Sequence, residues 1–413
     1  MTLLKLGVYH PTYLNEFYRI HPECSQAQYS VQHAALIDDR FGSSDFWTYA
    51  LSNLGYETSE IISNAELLQK RWATEAGFKF IDNNWLFEIV AAQIKSFRPD
   101  VLLVADYTTF TAKFLQDLRA ANPSIKLILG WCGAPYSDVS VFRGWDIALS
   151  CVPELVEEFR AGGLSSFHVN HAFDSRVLQK LQVGAEPKID FAFIGSIVKQ
   201  MRFHIERERL LLHLIEHTNL QIWSDIRPPA VAGGKTPSAV RRLYERTAFG
   251  VEQKVLGRLS DSLPILRRVA RRQSGFQHVN IQHVNEAIVR RVHSPLFGIE
   301  MFQRLKDTRV VFNNHIDISR TNASNMRLFE TTGVGTCLLT DSKENLSELF
   351  EADKEVLTYR SAEECVEKVS YILEHEVERR AIADAGQART FRDHNYNDRA
   401  ARIDEVIRGA LCS

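Results

Sequence analysis

Short apolar runs alternate with longer segments of helical periodicity along most of this chain. In the first half the runs are LLKLGVY (3–9), ETSEII (57–62), DVLLVAD (100–106), IKLILGW (125–131), DIALSC (146–151) and FHVNHAF (167–173). Each reads as a strand, and strands separated by helices are the pattern of a parallel sheet covered on its faces. Between them WLFEIVAAQIKSF (85–97) places its apolar residues at helical spacing. That helix is expected to stop at Arg98-Pro99, where proline cannot continue it.

The pattern restarts with IDFAFIGS (189–196), LQIWSD (220–225), RVVFNN (309–314), TCLLTD (336–341) and EVLTYR (355–360). Two successive Rossmann-like units fit, an α/β fold with domains at 1–182 and 189–395 and a C-terminal helix over 396–413 that can pack back on the first. The polar, glycine- and proline-bearing QVGAEPK (182–188) marks the join. Segment 361–374 opens with a capping box, Ser361 with Glu364, and carries an apolar face through Val366, Val369, Ile372 and Leu373. It reads as an outer helix.

Residues 226–295 break the rhythm: a glycine- and proline-bearing loop leads into arginine-rich, partly amphipathic helical material. This basic insertion reads as a solvated outer face, or as a patch for an acceptor phosphate or an anionic membrane surface. In QHVNIQHVN (277–285) His278 and His283 stand five apart, off a common helix face, so a metal site is not expected there.

Composition narrows the classes. A chain of 413 residues with 45% hydrophobic content can bury two cores. Lysine and arginine (49) nearly balance aspartate and glutamate (51), so overall charge calls for no nucleic-acid partner. The six cysteines, Cys24, Cys132, Cys151, Cys337, Cys365 and Cys412, form no CxxC pair and read as reduced thiols. The N-terminal stretch is unlike a secretory signal, and no run approaches the roughly 20 apolar residues that cross a bilayer. A cytoplasmic location is expected, with the inner face of the membrane as the alternative the basic insertion leaves open.

The candidate chemistry gathers in SNMRLFETTGVGTCLLTD (324–341). Asn322, Ser324 or Asn325 can cap a helix whose first amides, around Met326, then suit an anion such as a nucleotide diphosphate. Glu330, one to two turns further in, can accept hydrogen bonds from a vicinal diol such as ribose, or can simply favour the helix dipole. Gly333 and Gly335 supply the tight backbone needed to leave the helix for the next strand. Arg327 can neutralise a diphosphate or pair with a carboxylate. Asn314 and His315 follow RVVFNN at the same sheet edge, facing a nucleotide or sugar or merely capping a loop.

These residues also carry a resemblance. The stretch beginning NMRLFETTGVGTCLLTD and running over 325–396 resembles the C-terminal module of glycosyltransferases similar to the spore maturation protein CgeB, within the wider group 1 glycosyltransferases. Segments 297–318, 41–73, 150–163 and 171–178 resemble further parts of the same enzymes. The resemblance implies the GT-B architecture, two Rossmann-like domains facing across a cleft, with a nucleotide-sugar donor on the C-terminal domain and the acceptor on the N-terminal one. It implies transfer of a sugar from a nucleoside diphosphate to a hydroxyl, in bacterial surface polysaccharide or glycoconjugate synthesis.

Glu330 then falls on the second glutamate of the group's EX7E motif, a ribose ligand, while Asn322 stands where the first should be. Gly195 and Ser196 end FAFIGS where similar enzymes bring backbone close to the donor phosphates; a plain strand-to-helix turn is the alternative. No metal is expected, and no cofactor beyond the donor. Transfer with inversion needs a base beside the acceptor hydroxyl, and His10, Asp45 and Asp106 are the candidates, Asp45 being also a candidate helix cap. A nucleotide-sugar epimerase and a noncatalytic nucleotide-sugar or glycan-binding protein remain the alternative classes. GVYHPTYL lacks the GxGxxG turn of a dinucleotide-binding oxidoreductase.

Overall fold

The computed structural model describes residues 1–182, 184, 186–198, 203–226 and 284–412. Every apolar run named above contains a strand. The first sheet holds β1 (Thr2–Gly7), β2 (Glu57–Ile62), β3 (Val101–Val104), β4 (Leu127–Trp131), β5 (Ile147–Ser150) and β6 (Ser165–His168). The second holds β7 (Ile189–Ile194), β8 (Gln221–Trp223), β9 (Val292–His293), β10 (Thr308–Asn313), β11 (Cys337–Asp341) and β12 (Leu357–Tyr359). All pairings are parallel, in the orders β2-β1-β3-β4-β5-β6 and β12-β11-β10-β7-β8-β9. Strands such as β3 and β5 are buried at every position, as sheets covered on both faces require. Both sheets belong to one compact unit, Met1–Asp225 with Val284–Ser413.

Helix Trp85–Phe97 ends at Arg98, which turns left-handed (φ 56°) before Pro99. Helix Ala362–Glu374 starts at the expected cap, with Ser361 Oγ accepting the Glu364 amide at 3.2 Å. The run FHVNHAF behaves differently from the rest: only its first two residues lie in β6. Val169, Ala172 and Phe173 are buried instead in the core where the chain crosses between the sheets. There Phe173 bridges to Asn395, where the chain crosses back, and its amide donates to the His394 carbonyl at 2.9 Å. Helix Tyr396–Cys412 then packs against helix Phe46–Ser52 of the first sheet's face; Tyr396 meets Phe46 and Trp47, and Tyr56 Oη donates to Asp404 at 2.6 Å.

Of the insertion expected over 226–295, residues 227–283, including His278 and His283, lie outside the described residues; the remainder supplies helix Glu286–Val289 and β9, a strand the sequence pattern did not single out. Cys24, Cys132, Cys151, Cys337 and Cys365 are buried free thiols, and Cys412 is an exposed one. No described helix is long and apolar enough to cross a membrane.

Candidate active site

Strand order locates the site before any side chain is considered. In each sheet the chain first builds outward one way and then crosses to build the other, so a reversal falls between β1 and β3 and another between β7 and β10. In open parallel sheets ligands bind outside the carboxyl ends of the strands at such a reversal. Gly195 and Ser196 follow β7, and Asn314 and His315 follow β10, so these four bracket the second crevice. His10 follows β1 and Asp106 follows β3, bracketing the first.

On the second sheet the crevice is completed by helix Met326–Gly333. Its N-cap is Asn325, with extended backbone (φ −88°, ψ 158°), but no described side chain caps it. The expected caps are all engaged elsewhere. Ser324 Oγ bonds Ser319 Oγ, Asn325 exchanges amide bonds with Asn313 (2.8 and 3.3 Å), and Asn322 Nδ2 donates to Thr321 Oγ1 at 3.1 Å. The first-turn amides, from Met326 on, thus have no capping side chain, and uncapped amides at a helix start are suited to an anion.

Glu330 is buried within this helix (7% exposed), and Arg327 Nη1 approaches its Oε2 at 2.8 Å. Burial raises the Glu330 pKa, and the arginine only partly offsets this. Arg327 also donates to Met301 Sδ at 3.3 Å, so it lies against the protein rather than on a solvent face. The two glycines differ in purpose. Gly335 adopts φ +80°, a left-handed turn, whereas a Cβ on Gly333 would come within 2.2 Å of the Phe173 ring.

After β10, His315 is buried with Nδ1 2.7 Å from Asp341 Oδ1, and its amide donates to the same oxygen at 3.1 Å. Burial would raise the Asp341 pKa, but His315 and Lys343 outweigh it and hold the carboxyl below its usual range. The other ring nitrogen, His315 Nε2, and the neighbouring Asn314 Oδ1 are buried without partners. Gly195 donates its amide to the Trp223 carbonyl at 3.1 Å, and Ser196 is exposed in the turn that follows. Arg207, which the sequence reading passed over, joins the two loops: Nη1 donates to the Ser196 carbonyl at 2.8 Å and Nη2 to that of Asn314. Burial pushes its pKa down to about 10 against the opposing charge of Asp341.

The candidates on the first sheet fare unequally. His10 is partly exposed; its Nε2 lies 3.7 Å from Asp225, two residues beyond β8, and its ring stacks on Phe297. Thr12 Oγ1 donates to the same Asp225 carboxylate at 2.9 Å. Asp106 folds back on its own loop, accepting the amides of Thr108 and Thr109 at 3.2 and 2.9 Å. Asp45 stands at the N-cap of helix Phe46–Ser52 but does not cap it; its carboxylate is gripped by Arg40 (2.7 Å) and by both terminal nitrogens of Arg176 (2.9 and 3.0 Å). Both of its oxygens are thus engaged by two guanidinium groups, unlike those of a carboxylate open to an acceptor hydroxyl.

The loop from His315 to Asn325 ties the sheets together. Ile318 is buried among first-domain residues such as Phe142 and Trp145, between β4 and β5. Glu154, at the start of the helix after β5, accepts the amides of Thr321 and Asn322 at 3.1 and 3.2 Å and the Thr321 hydroxyl at 3.0 Å, all on one oxygen. Glu154, too, went unnoticed in the sequence, since its partners lie 167 and 168 residues away. Two surface grooves, one lined by Asp190, His217 and Leu373 and the other by Lys126, Phe167 and Arg402, share no residue with this site and lie toward the opposite ends of the sheets.

Comparison with known proteins agrees with this geometry. Residues 264–405, which include β10, the loop, helix Met326–Gly333 and β11, match a family model described as glycosyl transferase-like. No curated protein matches the chain by sequence. Among solved structures it is similar to sucrose-phosphate synthase from Thermosynechococcus elongatus (10% identity, TM-score 0.53, covering 100% of this chain and 99% of that one). It is similar to a glycosyltransferase from Rickettsia africae (10%, 0.51, 99% and 98%) and to Anabaena HepE in complex with UDP-glucose (12%, 0.50, 99% and 100%). At such identities the likeness establishes the fold: two Rossmann-like domains in the GT-B arrangement.

Proposed function

We propose that this protein is a glycosyltransferase that moves a sugar from a nucleoside diphosphate to a hydroxyl acceptor. The observation that carries the reading is one element: helix Met326–Gly333, uncapped at its start, with a buried glutamate on its second turn, at the crevice where strand order reverses. The match to a glycosyl transferase-like family model spans this element, and the similarly folded HepE was solved with UDP-glucose.

In this reading the first-turn amides hold the diphosphate and stabilise the charge that develops on it as the sugar departs. Arg327 adds a cation near Glu330. Glu330 accepts the ribose hydroxyls, and its cost of burial is repaid when a diol donates to it. Arg207 keeps the loops after β7 and β10 in register beside the donor, with His315 aimed by Asp341. His10 is the best placed of the candidate bases, being reachable from solvent and beside a carboxylate that can stabilise its protonated form. The work of the protein is thus positioning and charge stabilisation. A surface-polysaccharide or glycoconjugate acceptor fits the resemblance.

Isothermal titration with UDP, GDP and dTDP and their glucose conjugates tests the reading. One nucleotide series binds the wild type, and Glu330→Ala weakens it at least about tenfold, the worth of a charged hydrogen bond or two, with an unchanged circular dichroism spectrum. Equal affinities in the two proteins would remove Glu330 from the site.

A further inference from the structure

Glu154 spends one oxygen on the loop and leaves the other idle. Oε1 takes three hydrogen bonds from Thr321 and Asn322, whereas Oε2 is buried without a partner. The group is a carboxylate rather than an acid: burial pushes its pKa up, but its own backbone amide and then the groups of Thr321 and Asn322 outweigh burial and hold it below the usual range. A buried charged oxygen with nothing donating to it bears the cost of its lost hydration uncompensated, so such atoms call for an explanation. A ligand that donates a hydrogen bond removes the cost.

Place and chemistry narrow the ligand. Glu154 grips the backbone four residues before Met326, a stretch of chain spanning at most about 14 Å. The idle oxygen therefore lies within reach of a group attached to a diphosphate on the helix amides. The loop's own carboxylate, Asp317, is occupied by the amide of Ile205 at 2.7 Å, and Asn322 presents only a neutral amide, which donates to Thr321 and favours the charge on Glu154. Ala323 is fixed by Asn345 through bonds of 2.6 and 3.2 Å, so the loop cannot easily swing away from Glu154. An ionised oxygen accepts and never donates, which suits a sugar hydroxyl and disfavours a phosphate.

We infer that Glu154 Oε2 accepts a hydrogen bond from a hydroxyl of the donor's glycosyl group, so that the first domain reads the sugar while the second holds the nucleotide. This rests on the nucleotide-sugar reading above. It makes Glu154 a specificity-determining contact supplied across the cleft.

Glu154→Gln separates the two oxygens, since the amide oxygen can still serve the loop while its NH2 replaces the accepting oxygen with a donor. Titration of wild type and variant with UDP and UDP-glucose, and with the GDP and dTDP pairs, reads the effect. The expected result is unchanged binding of the free diphosphate and about 10- to 100-fold weaker binding of the nucleotide sugar. Wild-type affinities for mono-deoxy analogues of the same nucleotide sugar give a second reading that needs no variant: one deoxy position loses a comparable factor. If Glu154→Gln keeps the wild-type ratio of the two affinities, or if every deoxy analogue binds like its parent, the inference falls alone. If the wild type binds no nucleotide sugar, it falls together with the reading beneath it.

Discussion

Asp39 shows how a single carboxyl registers its surroundings. It lies where Gly298 and Ile299 approach from the second domain, and burial raises its pKa to about 6. Its folded value exceeds the unfolded one of about 3.9, so its contribution to stability is fully present below pH 4 and is lost as pH rises through 6. Asp39→Asn is therefore expected to leave urea stability unchanged near pH 4 and to raise it by about 1–2 kcal/mol at pH 8, after allowance for partial solvent screening. A gain that does not vary with pH would contradict this. Other residues were legible in the sequence to different degrees. The helix that carries Glu330 could be read because its signals are local, although the polar residues before it, expected as caps, bond elsewhere. Arg207 and Glu154 could not: each acts by touching backbone that the fold, and not the chain, brings near. Nor does sequence distinguish an aspartate that faces a crevice from one gripped by two arginines, as Asp45 is.

The elements themselves were written plainly, because a strand buried on both faces leaves an apolar run and a proline or capping serine punctuates a helix. The order of strands was not, since parallel pairs are chosen by long crossovers with no local signature; that order is what locates the crevice. The step from helix Met326–Gly333 to β11 combines two demands that read alike in sequence, a glycine for space and a glycine for backbone angle. Gly333→Ala drives a methyl into the Phe173 ring and is expected to cost about 1–3 kcal/mol, as overpacking does. Gly335→Ala, at φ +80°, is expected to cost about 1 kcal/mol or more from strain alone. A thermal melt of each variant checks the pair, and a neutral Gly333→Ala would mean that Phe173 packs elsewhere.

Across the whole molecule, a single hydrophobic cluster runs from the first sheet through Val169, Phe173 and Val177 into the second and on to Tyr396, Ala400 and Ile403 of the C-terminal helix. The loop after β10, held by Ile318 and Glu154 on one side and by Asn345 on the other, is the second tie. In the proposed reading one domain supplies the amides and carboxylate that hold the nucleotide, the other Glu154 and His10, and transfer takes place in the cleft between them. The most direct test is a crystal structure with whichever of UDP, GDP or dTDP binds. The account predicts its diphosphate on the amides that begin at Met326 and its ribose hydroxyls on Glu330; a nucleotide lodged elsewhere, with that helix start unvisited, would contradict it.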